Sequence, residues 1–307
     1  MSRLCEGRTA VITGAGRGIG RAHALALARH GARVVVNDLG AEVDGNGASS
    51  SVAQQVVDEI RATGGEAIAN SDDCADWEGA RRLIQAAIDA YGRLDVLVAN
   101  AGILRDRMLV NMTEADWDSV IRVHLRGTFA TAHWAAVHWR ERTKAGEQTD
   151  ARIICTSSAS GLYGNIGQAN YGAAKAGIAT FTTVCAAELE RYGVTANALV
   201  PGARTRMTEV LFAGTMAAPS NGFDAMAPEN ISPIVVWLAS TESRGVTGRA
   251  FEVYGGSLGI AEGWRHGPVI EQKATFDPTE LGPVVRELLE RAAAPTALLG
   301  ATAGHDA

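Results

Sequence analysis

Three side chains in the stretch 156–175 have the types and spacing for proton transfer: Ser158, Tyr171 and Lys175. Tyr171 and Lys175 are four residues apart, so on a helix they share one face. A free phenol titrates near ~10, and an ammonium held beside it favours the phenolate. The pair is therefore a candidate general base for neutral pH. Ser158 follows the apolar run Arg152–Thr156 and can bond the same substrate oxygen. A Tyr-x3-Lys pair alone is ordinary helix surface. Composition adds weight here: Lys144, Lys175 and Lys273 are the only lysines among 28 basic residues, and the other 25 are Arg. Arg cannot replace a Lys that must sit as a compact ammonium against a phenol.

These groups need a scaffold, and the chain spells one out. Thr9–Ile12 reads as a buried strand. The turn Thr13-Gly14-Ala15-Gly16-Arg17-Gly18-Ile19-Gly20 follows it, then an Ala/Leu-rich helix to His30. Strand, glycine turn and helix N-terminus make a phosphate cradle, because Gly allows close backbone approach and the helix dipole favours an anion. The next strand, Arg33–Asn37, ends at Asp38 and Leu39. A carboxylate at Asp38 can accept hydrogen bonds from a ribose diol and repels a 2′-phosphate; its alternative role is a turn or N-cap. Arg17 is the counter-signal, since a guanidinium there can meet a 2′-phosphate. A Gly/Ser/Asn-rich loop from Leu39 to Ser51 is long for a strand–helix connection.

Further strands are expected at Glu66–Asn70, Leu94–Val98, Arg152–Thr156, Val194–Val200 and Arg249–Val253, with helices between them. One long helix is expected over Thr113 to Arg142, with Thr113 as N-cap. Another begins near Gln168. Strands alternating with helices predict an α/β chain with a doubly wound parallel sheet. Residues 207–228 carry Met207, Leu211, Phe212, Met216, Phe223 and Met226, which read as an apolar substrate lid or as a packed surface helix. Residues 278–290 form an amphipathic helix, and the tail from Ala292 reads as weakly ordered.

The net charge is −6 with no basic stripe, which argues against nucleic-acid binding. No apolar stretch approaches the ~20 residues of a membrane span, and the N-terminus lacks a signal-peptide core. The expectation is a soluble cytoplasmic protein. Cys5, Cys74, Cys155 and Cys185 form no C-x-x-C, and the histidines no H-E-x-x-H, so no metal site is expected.

The spacing Ser158-x12-Tyr171-x3-Lys175, with the glycine turn near the N-terminus, resembles the short-chain dehydrogenase/reductase family. The resemblance covers roughly residues 5–260. It implies a single Rossmann-type domain with a seven-stranded parallel sheet over 1–260 and a C-terminal extension over 261–307, packed on the domain or on a neighbouring subunit. It implies that Tyr171 exchanges a proton with a hydroxyl while hydride passes to or from a nicotinamide. Lys175 would lower the Tyr171 pKa and bind the nicotinamide ribose, and Ser158 would hold the substrate oxygen. Asp72, with Asp73, would sit beside the adenine. Ala99-Asn100-Ala101-Gly102 resembles the family's N-N-A-G with its first Asn replaced, and Pro201-Gly202 with Thr205 resembles the loop against the carboxamide.

At 124 the family usually has Asn; His124 either replaces its hydrogen bonding or is a core histidine. The stretches Val36–Gly40, Gly102–Arg107, Arg122–Gly127, Thr156–Lys175 and Arg206–Thr208 resemble a narrower branch. It comprises the (3R)-hydroxyacyl-CoA dehydrogenase part of peroxisomal multifunctional enzymes type 2 and bacterial single-domain relatives. That implies NAD as cofactor and an acyl-CoA or steroid substrate, with Arg204, Arg206 and Arg265 as possible CoA phosphate contacts. The rival readings are a hydroxysteroid dehydrogenase, an NADPH-dependent acyl-carrier-protein reductase and a non-catalytic dinucleotide-binding protein. A homodimer or homotetramer is expected through two helices with Ala130, Ala132, Ala135, Ala136, Ala186 and Ala187 on their faces.

Overall fold

The strands owe their place to residues that are apolar on both faces. Val34 and Val36 of the second strand pack into one core with Leu27, Ile60, Val235 and Leu238. Val35, between them, packs into a second core with Leu83, Leu97, Ile153 and Trp139. Side chains alternate along a strand, so an unbroken apolar run must be covered on both sides. A computed structural model describes residues 3–47, 49–205, 219, 221–273 and 275–294 of the chain.

The strands are β1 (Thr9–Thr13), β2 (Arg33–Asn37), β3 (Glu66–Asn70), β4 (Val96–Ala99), β5 (Ala151–Thr156), β6 (Val194–Gly202), β7 (Ala250–Tyr254) and β8 (Ser257–Ala261). They form one sheet in the order β3-β2-β1-β4-β5-β6-β7-β8. Helices α1 (Gly18–Arg29), α2 (Ser51–Ala62) and α8 (Ser232–Ala239) contribute to the first core. Helices α3 (Trp77–Tyr91), α5 (Gly127–Lys144) and α7 (Ala169–Leu189) contribute to the second. Short helices α4 (Glu114–Ile121) and α6 (Ala159–Tyr163) precede α5 and α7, and α9 (Leu281–Arg291) lies in the C-terminal part. The strand order reverses beside β1, where β2 lies on one side and β4 on the other. The carboxyl ends of a parallel sheet at such a point open a crevice.

Two expectations need correction. The sheet has eight strands, not seven parallel ones: β7 turns back through Gly255, at φ +52°, and β8 pairs with it antiparallel. The expected single helix 113–142 is interrupted by a π-helical turn over Arg122–Arg126, between α4 and α5. Its start is as expected, because Thr113 and Asp116 form a reciprocal capping box. Of the proposed lid, Met207, Leu211, Phe212 and Met216 lie outside the described residues, as does Arg206. Phe223 is exposed.

Candidate active site

The glycine turn is steric in origin. Gly14 and Gly18 have φ of +62° and +52°, where L side chains are strained. A Cβ on Gly20 would lie 2.1 Å from the Gly14 carbonyl oxygen. At the entry of α1, Arg17 provides no side-chain cap, so the first-turn N–H groups remain available for an anion. Thr13 Oγ1 accepts hydrogen bonds from the backbone N–H groups of Asn100 and Ala101, both at 3.0 Å. Asn100 Nδ2 donates back to the carbonyls of Thr13 and Gly14, each at 3.2 Å. The ends of β1 and β4 are thereby fastened together beneath the cradle.

Asp38, just after β2, uses both carboxylate oxygens: Oδ2 accepts from the Gly16 N–H at 2.8 Å and Oδ1 from the Gly40 N–H at 2.7 Å. Its negative charge is fixed at the cradle rim. Arg17 donates from Nη1 to the Ala41 carbonyl at 3.2 Å, which ties it to the loop after β2. Asp72 accepts from Asn70 and Arg82. Asp73 pairs with Arg122 from the π-helical turn.

Ser158 opens α6 and accepts from the Ser160 N–H at 3.2 Å. Tyr171 and Lys175 lie on α7, one turn apart. Lys175 is 3% exposed; its Nζ donates to the Thr156 carbonyl at 2.6 Å and sits 5.5 Å from the Tyr171 ring centroid. Ser157 Oγ donates to the Lys175 carbonyl at 2.8 Å, joining β5 to α7. Burial pushes the Tyr171 phenol up to about 12; a hydrogen bond with Ser158 opposes this and the Asp106 charge adds to it. Burial also brings Lys175 down to about 7. The expected lowering of Tyr171 by Lys175 is therefore not found in this geometry: Nζ is turned to Thr156, and desolvation outweighs the Ser158 hydrogen bond at Tyr171 and the Cys155 attraction at Lys175.

His124 sits in the π-helical turn, 1% exposed, with its ring edge-on to Tyr171 at 5.1 Å between centroids. Nε2 faces both backbone groups of Ile103, the carbonyl oxygen at 2.8 Å and the N–H at 3.0 Å, and Nδ1 is buried without a partner among the described residues. Burial and the Lys175 charge bring His124 down to about 3, so the ring is neutral. If Nε2 accepted from the Ile103 N–H, Nδ1–H would be buried without an acceptor; with the proton on Nε2 donated to the Ile103 carbonyl, Nδ1 is only a bare acceptor, the less costly arrangement.

Apart from Thr13, Ala15, Gly16 and Ala99, the residues singled out from sequence for the dinucleotide and for proton transfer line one cavity of about 420 Å³. It runs from Gly14, Gly18 and Gly20 past Asp38, Asp72 and Asn100 to His124, Ser158, Tyr171 and Lys175, with Pro201, Gly202 and Thr205 along one wall. The anion cradle, the carboxylate at its rim and the long cleft fit a dinucleotide. Sequence reasoning missed Thr156, whose carbonyl holds Lys175, and Val43 and Gly45 of the loop after β2. It also missed Gln168 as a site residue, although its position three before Tyr171 placed it on the same helical face. Two proposed CoA contacts are engaged within the chain: Arg204 pairs with Asp224, and Arg265 with Glu262.

The family model for short chain dehydrogenases matches residues 8–215. Hydroxyacyl-CoA dehydrogenase ChsB1 of Mycobacterium tuberculosis is 42% identical over 293 residues, which span 92% of this chain and 88% of that protein. Peroxisomal multifunctional enzyme type 2 of Mus musculus is 45% identical over 254 residues; these cover 83% of this chain and 32% of the mouse protein, so the chain spans about a third of it. A 3-oxoacyl-[acyl-carrier-protein] reductase of Synechocystis is 42% identical over 82% of this chain and 97% of that protein. The crystal structure of a short chain dehydrogenase from Mycobacterium avium matches with a TM-score of 0.88 at 57% identity, covering 97% of this chain and all of that one.

Proposed function

Because this chain belongs to the short-chain dehydrogenase family, an oxidoreductase family that uses a nicotinamide dinucleotide, we propose that it oxidises a (3R)-hydroxyacyl-CoA to the 3-ketoacyl-CoA with NAD. The observation that carries the substrate is the likeness to hydroxyacyl-CoA dehydrogenase ChsB1 along nearly the whole of both chains. Asp38 supports NAD: its carboxylate, held by two backbone N–H groups, accepts hydrogen bonds from a ribose diol and repels a 2′-phosphate. The first turn of α1 and Gly14, Gly18 and Gly20 would hold the pyrophosphate. Asp72 and Asp73 would flank the adenine, and Asn100 to Gly102 with Pro201, Gly202 and Thr205 would line the nicotinamide end. When bound, the nicotinamide supplies the hydride acceptor.

Ser158 fixes the substrate hydroxyl, and Tyr171 takes its proton as the C–H hydride leaves. The Lys175 ammonium, once a ligand draws it from Thr156, favours the Tyr171 phenolate that must be present before the proton is taken; the transfer leaves Tyr171 as the phenol. His124 supports the wall behind Tyr171. We place the protein in the cytoplasm, as a homodimer or homotetramer; among the described residues no helix is long and apolar enough to cross a membrane.

The test is NADH formation with (3R)- and (3S)-hydroxyacyl-CoAs and with hydroxysteroids, each run with NAD and NADP. The reading expects one thioester enantiomer and NAD to be favoured, and Asp38→Ala to narrow the NAD/NADP gap. Turnover of hydroxysteroids without any thioester would make the protein a hydroxysteroid dehydrogenase. Reduction of 3-oxoacyl carrier protein with a preference for NADPH would make it a reductase. No turnover with binding of NAD would leave a non-catalytic dinucleotide-binding protein.

A further inference from the structure

Gln168 is 6% exposed, lines the site cavity, and stands three residues before Tyr171 at the entry to α7. Both ends of its amide are fixed. Nε2 donates to Asp106 Oδ2 at 2.7 Å, and Oε1 accepts from Asn165 Nδ2 at 2.9 Å. A carboxylate accepts and cannot donate when ionised, so the amide atom facing Asp106 must be the nitrogen. One flip state is thereby selected. That accounts for the Oε1 atom and one of the two N–H bonds; the second N–H has no partner among the described residues.

The arrangement is a poor way to gain stability. Asp106 is half-buried, and its Oδ1 is buried without a hydrogen-bond partner. Burial raises its pKa, and its charge raises that of Tyr171. A desolvated carboxylate beside the proton acceptor costs stability and opposes phenolate formation. The Gln168 side chain does not cap α7. The pair ties the loop after β4 to the entry of α7, which the Arg107 N–H to Gly167 carbonyl bond at 2.9 Å already does; the amide N–H left over at the wall of the cavity is what the pair adds for a ligand.

We propose that Gln168, locked by Asp106 and Asn165, recognises the thioester carbonyl of the substrate through its second Nε2–H. The proposal rests on the hydroxyacyl-CoA reading and deepens it. In a 3-hydroxyacyl thioester the carbonyl carbon is two carbons from the carbon that loses hydride. Gln168, at the N-cap of α7, and Tyr171, in its first turn, both line the cavity and can therefore hold the carbonyl and the hydroxyl together. Two polar anchors on either side of a prochiral centre fix which face of C3 meets the cofactor, and so give enantiomer choice. Asp106 and Asn165 are positioning residues, acting through Gln168.

The experiment compares kcat/KM for a (3R)-hydroxyacyl-CoA thioester and for the matching thioether, in which a methylene replaces the carbonyl. Wild type favours the thioester. Gln168→Ala is expected to cut the thioester/thioether ratio roughly tenfold, the size of one lost hydrogen bond. Asp106→Asn keeps the shape but offers either an oxygen or an N–H to Gln168, so it permits the flipped amide and should cut the same ratio by less than Gln168→Ala does. A general packing defect would lower both substrates together and leave the ratio standing, as would a Gln168 without contact to the carbonyl; an unchanged ratio in both variants overturns the proposal. A wild type inactive on every hydroxyacyl thioester refutes the substrate reading itself, and the proposal falls with it.

Discussion

Tyr171 and Lys175 are each held away from their solution behaviour, and burial is the cause at both. Tyr171→Phe keeps the ring and removes the proton acceptor. Turnover is expected to fall by ~10²–10⁴-fold, with NADH binding by fluorescence titration within about threefold of wild type; activity within about threefold would reassign the base. Lys175 makes a separate prediction for stability. Its folded pKa, about 7, lies below the ordinary lysine value of 10.5. Between these values the unfolded chain binds more protons, so stability rises with pH across that window. Below pH 7 both states are charged and the full cost of burying the ammonium is present, on the order of 5 kcal/mol. Lys175→Met should therefore gain most over wild type at pH 6.5, and the gap in Tm should shrink by pH 9.5. An equal gap at both values would contradict it. Ser158, Tyr171, Lys175 and Asp38 were legible because their types and spacings are local facts. The opposed pKa shifts were not, because desolvation comes from side chains distant in sequence, and the direction of Lys175 Nζ depends on the Thr156 carbonyl at the end of β5.

At the scale of elements, the helix after Thr113 shows what a periodic pattern can and cannot say. The capping box marks where α4 begins, and the pattern continues through α5. Nothing in the pattern reports the extra residue of the π-helical turn, which is held by long-range packing of His124 on Ile103. Such turns occur mostly as single bulges inside α-helices, frequently at functional sites. Gly102 makes room for that ring: a Cβ there would lie 2.3 Å from His124 Cε1 and 3.1 Å from Nδ1. Gly102→Ala should cost about 1–3 kcal/mol by denaturant midpoint and lower kcat/KM by disturbing the wall behind Tyr171. A variant with wild-type midpoint and activity would show that the ring moves freely. The eighth strand was missed for a related reason. Ser257–Ala261 is exposed along most of its length, so no buried face imposes a readable alternation. By contrast β2 and β3 were read with the observed bounds, since their runs are bounded by clear turn residues.

For the whole molecule, alternating strands and helices identified the doubly wound sheet, and the crevice follows from where the strand order reverses. The surface through which copies of the chain would meet was harder to read. Ala130, Ala132, Ala135 and Ala186, expected on subunit-facing surfaces, are 0–5% exposed within the single chain and pack in its own interior. Small residues on a helix report close packing without saying which partner is packed. The outer face of α5 and α7 is instead apolar at Phe129 and Val184, 44% and 46% exposed. Between these helices lies a depression of about 580 Å³ lined by Phe129, His133, Ala136, Phe181 and Ala187. Large side chains left at a surface beside an open depression suit a twofold contact, in which each copy offers the same patch. A standard interface buries roughly 1,200–2,000 Å² in total, which two facing helix pairs can supply. Light scattering at micromolar concentration is expected to give at least twice the 32.1 kDa of one chain. Val184→Arg places two cations at the symmetric contact and should return the monomer, with the far-ultraviolet spectrum unchanged. A wild type that runs only at the mass of one chain would reject assembly; a Val184→Arg dimer would move the contact to another face.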